Sequence, residues 1–79
     1  MREIIFYHDD FFANYFWSLN NGSKIREDIL VKTYLQNYFT FTDLVKLYKI
    51  VGKDQLLLYA KELGIDKRIE NLLNYLEMS

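Results

Sequence analysis

The only histidine of the chain opens the run His8-Asp9-Asp10, where an imidazole beside two carboxylates offers donors for a divalent metal. Neighbouring residues on an extended or capping segment point in different directions, however. No cysteine and no second histidine supplies the remaining ligands of a usual transition-metal set. The run reads instead as a helix start, with acidic side chains near the positive end of the helix dipole. Nucleophilic catalysis has less to stand on. None of Ser18, Ser23 or Ser79 lies in a nucleophile-elbow pattern. The three glycines, Gly22, Gly52 and Gly64, are scattered where helices should end, so no loop cradles a phosphate. Glu27 and Asp28 are a carboxylate pair, but in a solvent-facing first helical turn, where dipole compensation accounts for them. The expectation is a non-enzymatic chain with no catalytic residue, no metal and no cofactor.

Two other groups of residues bear on binding. Lys46, Lys49, Lys53 and Lys61 fall on two successive helices joined at Gly52, which is the outline of a helix-turn-helix. Its second helix would read Gln55-Leu56-Leu57-Leu58-Tyr59-Ala60-Lys61, too apolar to address base edges. The chain carries ten basic and eleven acidic side chains, a formal net charge of −1, and no concentrated basic surface. Nucleic acid is therefore the weaker alternative. The second group is aromatic: seven Tyr, six Phe and one Trp are more rings than so short a chain needs for its core. Tyr and Trp are frequent hot spots of protein interfaces. Phe11, Tyr15, Trp17, Tyr38 and Phe41 are the candidate partner contacts, with self-association of the same surface open as an alternative.

The elements that would position these residues are organised around Ser23 to Phe39. There Ile25, Ile29, Leu30, Tyr34, Leu35, Tyr38 and Phe39 recur at steps of three and four, which predicts a central helix covered from more than one side. Ser23 stands where its N-cap should stand. Before it, Arg2 to Tyr7 is apolar and β-branched but has no evident partner strand, so residues 1–8 are expected to form an extended arm. Any strand-like role of that arm would require pairing with another molecule. Asp9 or Asp10 would cap a first helix carrying Phe12, Tyr15, Phe16 and Leu19, ended by Asn20-Asn21-Gly22. After the central helix, Thr42 would cap a third (Leu44, Leu47, Tyr48, Val51) closed by Gly52. Asp54 would cap a fourth (Leu56, Tyr59, Ala60, Leu63) stopped by Gly64, and Asp66 a fifth (Ile69, Leu72, Leu73, Leu76). The expected fold is all-α, a single compact bundle of five short helices over residues 9–79.

Seventy-nine residues make one domain, and a chain of this size buries only about 60–65% of its unfolded surface. Without cysteine, that core holds the fold by itself or with a partner. No apolar run approaches the ~20 residues of a membrane span, and no export signal precedes a cleavage site, so a reducing cytoplasm and no membrane partner are expected.

From Phe16-Trp17 onward the chain resembles a family of small helical, antitoxin-like proteins encoded beside nucleotidyltransferase toxins of the abortive-infection type. The resemblance runs through Ile29-Leu30 and Tyr34-Leu35, then Leu44 and Leu47-Tyr48 leading to Val51-Gly52-Lys53, and ends in the Leu72 to Leu76 region. It covers about Tyr15 to Leu76. The chain departs from the family pattern at Ser18-Leu19-Asn20, where an acidic stretch is usual after the tryptophan. The resemblance implies a protein that acts by binding and neutralising the toxin encoded next to it.

Overall fold

The strand Glu3–Phe6 (β1) does have a partner within the chain. In the computed structural model, which describes residues 2–78, it pairs antiparallel with Ser23–Arg26 (β2), matching Glu3 with Arg26, Ile4 with Ile25, Ile5 with Lys24 and Phe6 with Ser23. Four α-helices follow: Glu27–Gln36 (α1), Phe41–Val51 (α2), Lys53–Glu62 (α3) and Asp66–Met78 (α4). Met1 lies outside the described residues, as does Ser79, one of the serines considered above as a nucleophile. The chain is thus mostly helical but not all-α, and the described residues form four α-helices rather than five.

The differences concentrate in the first third. Ser23 caps no helix; the alternating exposure of Ser23–Arg26, with Ile25 buried between exposed Lys24 and Arg26, is a strand's period of two. Four residues satisfy either period, and the pairing with β1, distant in sequence, selects the strand. The arm expected at residues 1–8 is therefore half of a ribbon whose inner face, Ile4, Phe6 and Ile25, turns to the core. The expected helix from Asp9 to Leu19 is absent. A single 3-10 turn at His8–Asp10 is followed by irregular backbone to Gly22.

Side chains from elsewhere take over the backbone hydrogen bonds that a helix would have made there. Asp43 Oδ1 accepts from Phe12 N (2.6 Å) and the same carboxylate from Ala13 N (3.3 Å to Oδ2). The Tyr34 hydroxyl donates to the Ala13 carbonyl, and His8 Nε2 donates to the Leu19 carbonyl. Phe11 stacks on Tyr34 (centroids 4.6 Å apart), with Tyr15 edge-on to the same ring (5.1 Å). Those rings, more than any local period, shape the segment.

The helical part follows the expected faces with shifted ends. α1 buries Leu30, Val31, Tyr34 and Leu35 and packs against α2, α3 and β2, so the central placement holds although the helix is shorter than expected at both ends. Its first residue, Glu27, is buried rather than solvent-facing: the carboxylate accepts from Tyr59 Oη (3.1 Å) and pairs with Arg2 (3.4 Å). Thr40, not Thr42, caps α2. Its hydroxyl accepts from Asp43 N (3.1 Å) while Asp43 Oδ2 accepts from Thr40 N (3.0 Å), a capping box. Gly52, at φ +84°, ends α2 and starts α3 directly, leaving Asp54 inside the helix it was expected to cap. α3 closes in a Schellman turn, with Ile65 N donating to Ala60 O (2.9 Å) and Gly64 N to Lys61 O (3.0 Å), the positive φ of Gly64 making the turn possible. α4 then packs along α3 through Ile69 and Leu73.

Candidate interaction surface

Asp43 is the residue that ties this surface together. It is fully buried at the third position of α2, and its carboxylate gathers the amides of Phe12, Ala13 and Thr40. One side chain therefore both caps α2 and clamps the irregular segment onto it. Tyr34 and Tyr15 add a bond each: the Tyr34 hydroxyl donates to the Ala13 carbonyl and the Tyr15 hydroxyl to the Tyr38 carbonyl. Burial first, then the charge of Asp43 and the presence of Tyr15, push the Tyr34 hydroxyl well above its usual pKa. It stays protonated and donating through the neutral range.

The clamp leaves large rings outside. Phe12, whose amide is held by Asp43, is 76% exposed; Tyr38, whose carbonyl is held by Tyr15, is 72% exposed. Phe41, on the first turn of α2, meets Tyr75 of α4 edge-on at 6.2 Å, and Tyr75 is 69% exposed. The backbone of Phe12 is thus anchored at the N-terminus of α2 and that of Tyr38 just before it, where Phe41 meets Tyr75, and Arg68 lies over the Phe39 ring (5.3 Å). Trp17, on the later part of the same irregular segment, is 76% exposed. Such exposure leaves apolar area in water that a partner can cover.

The expected contact residues divide accordingly. Trp17, Tyr38 and Phe41 present their rings to solvent; Phe11 and Tyr15 are half-buried against Tyr34, where they support the surface from behind. Phe12, expected on a buried helix face, and Tyr75, on the polar side of α4's seam, join the exposed set. Helical spacing alone does not single out Asp43. Its only available signal was the spacing Thr40-x-x-Asp43, that of a capping box with a shorter acid.

The lysines are less concentrated. Lys46 and Lys49 stand about a turn apart on α2 and Lys61 near the end of α3. Lys53 is already paired with Glu77 (2.9 Å), an acid that also accepts from Tyr48 Oη (3.3 Å). That hydrogen-bonded pairing raises the Lys53 pKa and lowers that of Glu77. Among the described residues there is no enclosed pocket and no group of three metal-capable side chains; His8 donates instead to the Leu19 carbonyl. No helix is long and apolar enough to cross a membrane. No family model, curated protein or solved structure matches the chain.

Proposed function

We propose that this chain is a non-enzymatic protein–protein interaction module whose contact surface is Phe12, Tyr38, Phe41 and Tyr75, with Trp17 at its margin. The observation that carries the reading is the clamp. A buried carboxylate and two tyrosine hydroxyls are committed to holding a helix-free segment in one shape, and the product of that ordering is a set of exposed rings. Backbone fixed before binding, at Phe12 through its amide and at Tyr38 through its carbonyl, need not be ordered on contact, which favours affinity. The most concrete form of the proposal is an antitoxin-like partner that masks or remodels the surface of a nucleotidyltransferase toxin, supported by the resemblance described above.

The test is affinity capture of partners from the native cell lysate with nuclease present, comparing the wild-type chain with Phe12→Ala/Phe41→Ala and with Trp17→Ala. A stoichiometric protein retained by the wild type and lost with the double variant, whose helical content is unchanged, supports the surface. A partner retained equally by all three chains refutes it, and Trp17→Ala alone decides whether Trp17 belongs to it.

A further inference from the structure

Among the described residues, no strand pairs with the outer edge of β1. Glu27 N donates to the Arg2 carbonyl (2.9 Å), and Ile4 lies opposite Ile25, so Arg2, Ile4 and Phe6 turn their peptide groups toward β2. Glu3 and Ile5 turn theirs the other way, and among the described residues these N–H and C=O groups have no hydrogen-bond partner. Their side chains, with that of Tyr7, lie on the exposed face. An unpaired strand edge is a template for another strand.

We propose that a second copy of this chain occupies the edge, its β1 running antiparallel to the first about a two-fold axis at Ile5, to give a four-stranded sheet in the order β2-β1-β1-β2. The pattern of β1 is self-complementary about that residue. A two-fold centred on Glu3 sets like charges face to face, which is destabilising, and one centred on Ile4 sets Glu3 against Ile5. The axis at Ile5 instead places Ile5, 44% exposed, against its own copy, and Glu3 against the exposed Tyr7. Glu3 keeps Arg26 as its cross-strand neighbour of opposite charge within its own chain. Tyr7 is still extended (φ −132°, ψ 130°), so its amide continues the ladder, while its carbonyl also accepts from Asp10 N (3.1 Å) in the turn that ends the strand. The outer edge of β2 carries Lys24 and Arg26, and pairing two such edges would set basic on basic. Growth therefore stops at an isologous, closed dimer. The strand is short, so the contact falls under the ~1,200 Å² of a standard interface, and the dimer is weak, with Kd on the order of 0.1–1 mM.

The chain has no cysteine, so a single introduced thiol reads the register directly. In a hydrogen-bonded antiparallel pair the two Cα atoms are about 5.5 Å apart, within disulfide reach. Lys24 and its copy would be three strand spacings apart, roughly 14 Å, and out of reach. Under mild oxidation near the Kd, Ile5→Cys is expected to form a covalent dimer at least about tenfold faster than Lys24→Cys. Wild-type chain should show concentration-dependent dimer in sedimentation equilibrium, and Ile5→Lys, which sets like charges together at the axis, should abolish it with the circular dichroism unchanged. Equal cross-linking rates overturn the proposal, as does a wild type that stays monomeric to about 1 mM. A dimer that survives Ile5→Lys but is lost in Phe12→Ala/Phe41→Ala overturns it too, by moving self-association to the aromatic surface.

Discussion

Replacing Asp43 by alanine removes the acceptor for Phe12 N at 2.6 Å and Thr40 N at 3.0 Å, and a weaker one for Ala13 N at 3.3 Å. Hydrogen bonds to a charged group contribute about 1.5–3 kcal/mol each, so the two short ones together represent about 3–6 kcal/mol. The amides they hold are only partly buried and regain some water once released. The expected loss is therefore near the lower end, about 3 kcal/mol. A domain of this length has roughly 4–12 kcal/mol of stability in total, so the variant should remain folded but lose a large share of its margin. Thr40→Ala provides the comparison: it removes only the hydroxyl that accepts from Asp43 N and should cost about 1 kcal/mol, as cap deletions do. Urea titrations followed by circular dichroism give both numbers. Limited digestion with chymotrypsin gives the second readout, because a released segment exposes the bonds after Phe12, Tyr15, Phe16 and Trp17. Asp43→Ala costing no more than Thr40→Ala, with those bonds as protected as in wild type, would refute the clamp.

Tyr34→Phe deletes the hydroxyl bond to the Ala13 carbonyl and should cost about 1 kcal/mol in the same titration. Because the folded-state pKa of Tyr34 is raised, its contribution is fully present below its unfolded pKa and is lost as pH rises above about 10. Stability of the wild type should thus fall on the alkaline side, and Tyr34→Phe should flatten that fall. Gly64→Ala meets no atom at the new Cβ but holds alanine at φ +75°, so it should cost about 1–2 kcal/mol from backbone strain alone, read as a lower urea midpoint at constant m. Trp17→Ala should change stability by no more than about 0.5 kcal/mol, since the ring is mostly in water. As the sole tryptophan, Trp17 should shift its emission to the blue when a partner covers it.

The second half of the chain was readable because its signals are local. Gly52 and Gly64 end helices through positive φ, and the buried positions of α2, α3 and α4 recur at helical steps within helices of 11, 10 and 13 residues. The first third was not, because its structure is decided at long range. Ser23–Arg26 is too short to distinguish a period of two from one of 3.6, and only the register with Glu3–Phe6 separates them. Phe12, Tyr15, Phe16 and Leu19 mimic a helical face. A carboxylate about thirty residues on and the ring of Tyr34 hold that backbone otherwise. The surplus of aromatic residues was visible in composition, and exposure of Trp17, Tyr38 and Phe41 agrees with it. Which rings support and which face outward depended on the same distant clamp, so Phe11 and Phe12 exchanged the places that helical spacing assigns them.

Amide hydrogen exchange on the chain, free and bound to the protein it captures, tests the interaction surface most directly. The clamp-and-surface account predicts that binding slows exchange in two separated stretches, residues 11–17 and 37–43, and at the C-terminal end of α4 around Tyr75. Slowing confined to the lysine-bearing parts of α2 and α3, around Lys46, Lys49 and Lys61, with the aromatic stretches unchanged, would contradict it.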